Sequence, residues 1–547
     1  MSFGILWISR VALSLLIVAL ITALVSRCKK VYWRKIWPIV AALFVFITVI
    51  PMAIAGGYLL WENMQPKWLF WYGLSETILY LIGAIIILKR GFKDVGTEDQ
   101  AARLWSRRWL AVSFGMAVFI FVVTLNFAET RIVAHVANVG NMATHKVISL
   151  LPAKLPDSLN AFPVYEEAAQ MLGSGKKLPS WFSEIDQPDF DASTSDVQDF
   201  LSTQQNTLAA IRHATAMQGY SMEVDASDLI NANIPKYIGY RNFARLLRLS
   251  ALNSSASDKP DLVAQELNHI SEMGDHLRSY PLLLSIIVSF AVDSTHYTTL
   301  EYLLAKELGS NIFQIELPVT PHPSVRDSFL KALRLEAYSN LQFFASTASS
   351  YDYFSLFNLN PPPKFDFGCT ALFLKLWRVF LLPSEIKAAK DIIAYRMGKP
   401  EETYEEHRKN IDFIKESMDS GEMSIFTKIA TPSFTGYADR AMVCDVQRGL
   451  CDLAMALTAY KTINNEYPAK LSDLTPSFIR EIPVDPFDGT QLKMARVEGG
   501  LKLFSTGPDK ESDRYTKSLQ LDFYLGREAF YNYRVKPAKE KEEKRKK

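Results

Sequence analysis

Carboxylates, imidazoles and thiols are the side chains best able to do chemistry, and they are thinly spread along this chain of 547 residues. Glu266 and His269 have the spacing that places both on one face of a helix, as the metal ligands of di-iron bundles are placed. Such a site needs a second copy of the motif and two further glutamates, and the sequence offers no second copy. Asp275 and His276 follow about two turns on. The bland reading, a solvated polar helix face, is the one the spacing favours. There is no His-Glu-x-x-His, no Gly-x-Ser-x-Gly and no phosphate loop. A Ser/His/Asp triad leaves no trace in one sequence, because folding assembles its members.

The cysteines number four, too few for a disulfide scaffold. Cys444 and Cys451 lie seven residues apart on an expected helix, hence about 10 Å apart along its axis, which is beyond the span of a disulfide. Cys369 is free to pair with either in an oxidising compartment, and buried free thiols are the competing state. Cys28 stands at the edge of an apolar stretch. Asp509, Glu511 and Asp513 alternate along a short loop, a pattern that can converge on calcium, which takes six to eight oxygen ligands. A weak or absent site is the alternative, and no other cofactor is indicated.

Two charges sit in apolar surroundings, Arg10 and Glu76. Either they mark an ion or proton pathway, or Arg10 snorkels to an interface while Glu76 bonds to a neighbouring helix. The stretches around them, 5–25, 36–60, 68–88 and 109–127, each reach the roughly 20 residues that a bilayer span needs. Lys29, Lys30, Arg34 and Lys35 follow the first span. Lys89, Arg90, Lys93, Arg103, Arg107 and Arg108 follow the third, so both basic loops are expected in the cytoplasm and both termini in the periplasm. A net charge of +2 makes no case for nucleic acid.

From residue 131 to about 430 the pattern is helical, with expected helices at 197–218, 237–252, 259–280, 282–307 and 325–345. Short polar or proline-bearing connections imply antiparallel pairs. The pair 243–252 and 261–277 has tetratricopeptide-like small-residue spacing, but no fixed period recurs. The run Phe354–Thr370 carries too many prolines and aromatics for a helix, and reads as a segment covering the helical bundle or as a docking loop.

Near the C-terminus, Val443, Val446, Leu450, Leu453, Leu457 and Tyr460 recur at helical spacing. Asn465-Glu466-Tyr467-Pro468 breaks the helix, Ile482-Pro483-Val484-Asp485-Pro486-Phe487 follows, and two strand-like runs flank Gly499-Gly500 before Leu503-Phe504-Ser505-Thr506-Gly507-Pro508-Asp509. This order resembles the globular part of the major pseudopilin of type II secretion systems, over about residues 436–525. The whole soluble region is more loosely similar to uncharacterised bacterial envelope proteins, a family that brings no activity with it. The pseudopilin resemblance implies a small α+β module and a calcium loop at Asp509, Glu511 and Asp513. The family's peptidase site and single N-terminal hydrophobic helix do not precede Ala441, so incorporation into a filament is not implied.

The expected architecture is a four-helix transmembrane anchor (1–130), a mainly α extracytoplasmic domain (131–430), a pseudopilin-like α+β module (431–525) and a charged, disordered tail (526–547). The expected role is a non-enzymatic, multi-pass inner-membrane protein whose large periplasmic domain meets envelope or secretion partners, with the lipid bilayer as its other partner. The alternatives are a periplasmic enzyme with a site between the helical and pseudopilin-like parts, and a membrane sensor or transporter.

Overall fold

The computed structural model describes residues 128–173, 178–187, 190–227, 229, 237–305, 324–349, single positions between 378 and 416, 434–508 and 521–539. Among these residues no helix is long and apolar enough to cross a membrane. This corrects the expected fold class and location. The described chain is mainly helical with a small antiparallel sheet, and it gives a four-helix anchor, a multi-pass inner-membrane placement and a periplasmic domain no support. The four apolar stretches, with Arg10 and Glu76, lie outside the described residues. Helix α1 (128–150), which follows directly on the fourth apolar stretch, is amphipathic. It buries Val136, Val139, Ala143 and Val147 and exposes Asn138, Asn141, His145 and Lys146, the pattern of a helix packed on protein.

The chain divides into two compact units, 1–140 with 344–386, and 141–343 with 387–547. In the first, Arg378 pairs with Glu129 at 2.7 Å, and Gly140 lies so close to Ala345 that a Cβ would collide with its methyl group.

The second unit holds α2 (Ala161–Gly173), α3 (Ser195–Thr203), α4 (Gln205–Thr215), α5 (Ile238–Ala256), α6 (Pro260–Ser279) and α7 (Leu283–Ala305), followed by α8 (Val325–Ser349), whose last turn belongs to the first unit. Pro260 opens α6 where a helix has no use for the missing N–H, and Asp258 at φ 52° turns the chain from α5 into it. Helices α5, α6 and α7 pack on one another. Tyrosines 165, 220, 237, 240 and 280 form the heart of this array, with ring centroids such as Tyr165–Tyr240 5.1 Å apart. Their hydroxyls are satisfied inside it: Tyr220 and Tyr240 share a hydrogen bond of 3.2 Å, and Tyr280 donates to the Met222 carbonyl.

The C-terminal part begins with α9 (Phe434–Asn464), then β1 (Lys493–Val497), β2 (Gly500–Phe504) and β3 (Asp522–Leu525) in the order β1-β2-β3, all antiparallel. Fully buried Asp485 ties the connection to the sheet. Its carboxylate accepts from the Phe487 N–H (3.0 Å) and from the Thr506 N–H (2.8 Å) and hydroxyl (3.0 Å). The β1–β2 hairpin needs glycine twice: Gly499 has φ +77°, and a Cβ on Gly500 would strike the Leu525 carbonyl. The tail expected from 526 is ordered at first. Arg527–Phe530 is helical (α10), Tyr531–Val535 forms a π-turn, and Ala529, Phe530 and Val535 are buried. One continuous hydrophobic core runs from Ala161 through α9 and the sheet to Val535, so the C-terminal part is built onto the helices.

Candidate functional site

Helix α7 lies at the centre of the unit, between α5 and α6 on one side and α9 and β3 on the other. Its sequence is apolar on nearly every face, yet Asp293, Tyr297 and Glu301 recur at intervals of four and so form one stripe along it. All three are buried, and all three meet the C-terminal part.

At the first position, Asp293 accepts from Arg278 of α6 through Oδ2 and from Arg448 of α9 through Oδ1 (3.1 Å). Asp275 completes the group, taking Arg278 at 2.6 Å and Arg448 at 3.1 Å. Two guanidiniums face two carboxylates, and only Asp275 is substantially open to water. Burial works against the Arg278 charge, but Asp293 and Asp275 more than offset it and lift its pKa above the usual arginine value. Gly274 makes room for the cluster, since a Cβ there would stand 2.9 Å from Asp293 Oδ1.

At the other end, the stripe seals an edge of the sheet. Strand β3 pairs with β2 on one side. On the other, the Tyr524 N–H donates to Glu301 (2.9 Å), while the Asp522 carbonyl accepts from the Tyr297 hydroxyl and from Arg534. Edge strands invite pairing with other chains, and here side chains take up those backbone groups. Arg534 also pairs with Glu301 at 3.0 Å and with the Asp522 carboxylate at 3.0 Å, and Tyr524 donates to that carboxylate at 2.9 Å. The π-turn supplies the arginine to this cluster, and Tyr533 stacks on Tyr524 at 4.8 Å. Desolvation raises the pKa of Glu301, against the pull of Arg534, and raises that of Tyr297 well above the usual phenol value.

The arrangement is a seam of paired charges, three arginines among four carboxylates. Each carboxylate is held by arginine, tyrosine or backbone N–H, which makes it a docking device.

The residues singled out from sequence fall in several places. Glu266 does not lie on a solvated face: it is buried and accepts from Arg212 and Ser250. His269 bonds Thr215 at 2.7 Å, and desolvation lowers its pKa, which keeps it neutral near pH 7. His276 is held between the Tyr165 hydroxyl and the Met217 carbonyl, each at 3.2 Å, with its pKa likewise lowered by burial. Asp275 joins the seam. Cys444 and Cys451 are buried free thiols, raised well above the usual thiol pKa by desolvation. Cys28, Cys369, the Phe354–Thr370 run and the acidic loop of Asp509, Glu511 and Asp513 lie outside the described residues. Among the described residues no group of His, Cys, Asp or Glu is placed to hold a metal ion. The stripe on α7 had a readable signal, polar residues every fourth position in an apolar helix. Its partners Asp522 and Arg534 had none, being more than 220 residues away in sequence.

No family model matches the chain, and no curated protein or solved structure matches it.

Proposed function

We infer that this chain is a non-enzymatic interaction or assembly protein. Its helical array holds the pseudopilin-like α+β module in a fixed attitude and presents it to protein partners, of the secretion-linked class that the resemblance suggests. The observation that supports this reading is the seam along α7. Asp293, Tyr297 and Glu301 are engaged with Arg448, Asp522 and Arg534, so the chemistry-bearing groups at this junction serve to dock one part on the other. A catalytic reading would need those carboxylates open to a substrate, and nothing in the seam favours it.

The test is crosslinking in intact cells followed by affinity purification and mass spectrometry. Deleting the module would strip α7 of its cover, so surface substitutions are the better probe. Ile463 (64% exposed) and Val484 (61%) are apolar side chains of the C-terminal part that lie on the surface. Recovery of secretion-machinery subunits with the intact chain, lost in Ile463→Asp or Val484→Asp, is the expected outcome. Recovery of the chain alone would overturn the reading.

A further inference from the structure

The two edges of the small sheet are finished differently. On β3 the outward backbone groups are taken up by Glu301, Tyr297 and Arg534. On β1 the direction of each backbone group follows from two bonds outside the ladder. The Ser505 N–H donates to the Leu521 carbonyl at 3.0 Å, so odd-numbered residues of β2 bond towards β3 and even-numbered ones towards β1. Phe504, Lys502 and Gly500 stand opposite Lys493, Ala495 and Val497, which therefore direct their N–H and C=O groups at β2. Met494 and Arg496 point theirs away from the sheet. The Leu492 N–H, two residues earlier, does so too, and donates to the Pro483 carbonyl at 3.0 Å. Beyond it the edge is open: among the described residues no group bonds to the outward N–H and C=O of Met494 and Arg496.

Such an edge accepts an extended chain, whose backbone bonds to both residues, about 7 Å apart along the strand. A second copy of this protein fits badly. Two-fold pairing centred on Ala495 would bring the Glu498-Gly499 turn of the second copy against Pro483, which already lies beside Leu492. Two-fold pairing centred on Arg496 would set that arginine directly against its own counterpart, which is unfavourable. Charge then selects the partner. Arg496 is exposed and no carboxylate among the described residues pairs with it, whereas Lys493, on the opposite face of the strand, is held by Asp488 at 2.9 Å. Met494 shares the face of Arg496 and is partly buried against the core. An incoming strand therefore meets one unmatched cation and, two residues along, one apolar side chain.

We propose that the outer edge of β1 binds an extended segment of a partner protein by antiparallel strand addition, with an acidic side chain opposite Arg496 and an apolar one, two residues later, opposite Met494. The main-chain groups of Met494 and Arg496 hold the added strand, and the two side chains select it. The proposal rests on the reading of the C-terminal part as the region that meets partners, and it names the chemistry a partner brings there.

The probe is a disulfide-closed β-hairpin peptide whose free edge reads Thr-Glu-Thr-Val-Thr, since a preorganised strand loses less entropy on binding. Added to the full chain, it should protect the Met494 and Arg496 amides, read as slower hydrogen exchange over 492–498. The same hairpin N-methylated at its glutamate and valine lacks the donors and should not bind. Replacing its glutamate by lysine should weaken binding to the wild-type chain about tenfold, and Arg496→Glu, at an exposed position, should reverse that preference. No protection by the acidic hairpin, equal protection by the N-methylated one, or an unchanged charge preference in Arg496→Glu would each overturn the proposal. If that happens while secretion-machinery subunits are still recovered from cells, the edge fails and the interaction reading stands. A hairpin that binds as expected, with no subunit recovered, supports the edge and overturns that reading.

Discussion

Asp293→Asn puts the seam to its hardest test, because it keeps the shape and removes the charge. Asp293 is 4% exposed and takes one guanidinium on each oxygen, Arg278 on Oδ2 and Arg448 on Oδ1. In the variant both buried arginines would depend on Asp275, whose side chain is 35% exposed and so partly screened by water. Breaking a buried pair from one side costs about 3–5 kcal/mol, because the partner's charge is left buried without its counter-charge. The chain has two compact units, so one global unfolding free energy is a poor readout. Native-state hydrogen exchange along α6, α7 and α9 reports the opening of the seam directly. Protection there should fall by about two to three orders of magnitude, limited by the stability of the unit. Adding Arg448→Met removes one of the stranded cations and should restore about half of the loss. The double-mutant cycle should then give a coupling of at least about 2 kcal/mol, larger by whatever Arg448→Met costs alone. A loss under about 1 kcal/mol in Asp293→Asn, or strictly additive effects, would refute the claim that this charge group docks α9 on α6 and α7.

Tyr297→Phe removes the hydroxyl that donates to the Asp522 carbonyl, and should cost about 1–2 kcal/mol, read as faster exchange in β3. Gly274→Ala should destabilise despite the better helix propensity of alanine, because its Cβ meets Asp293 and Arg278 at about 3 Å; a raised melting temperature would count against the packing described. Asp485→Asn puts an amide N–H₂ in place of one of two oxygens that both accept from donors, and should lower stability by about 2–4 kcal/mol, with exchange rising first around Phe487 and Thr506. Asp488 is partly buried, which pushes its pKa up, but bonds from Lys493 and Thr490 outweigh this and hold it at about 2. Its stabilisation, about 2 kcal/mol, is complete above the unfolded carboxylate value near 4 and disappears as pH falls towards 2. Acid melts of Asp488→Asn should lack that component.

Much of the local structure was legible along the chain. The spacing of Val443, Val446, Leu450, Leu453 and Leu457 marks the buried face of α9, and Gly499-Gly500 marks the hairpin between β1 and β2. Pro260 and the polar break before it separate α5 from α6, because proline suits only the first turn of a helix. These signals are local: period, breaker residues and helix starts act over a few positions, and composition records them. The apolar stretches near the N-terminus suggested a membrane anchor by the same kind of local reasoning, and the described helices do not carry it.

What each charged side chain does was decided only in three dimensions. Glu266 reads as a surface carboxylate on an amphipathic helix, yet Arg212 from α4 and Ser250 from α5 close over it. Asp445 is one acid among several on α9 until α8 brings its first turn beneath it. Asp293 and Glu301 sit in a helix too apolar to advertise a binding face, and their partners arrive from residues 448, 522 and 534. A sequence records which residues could be ionised. Whether a charge is solvated, paired or capping a helix depends on which distant elements the hydrophobic core draws against it, and that assembly is a property of the whole fold.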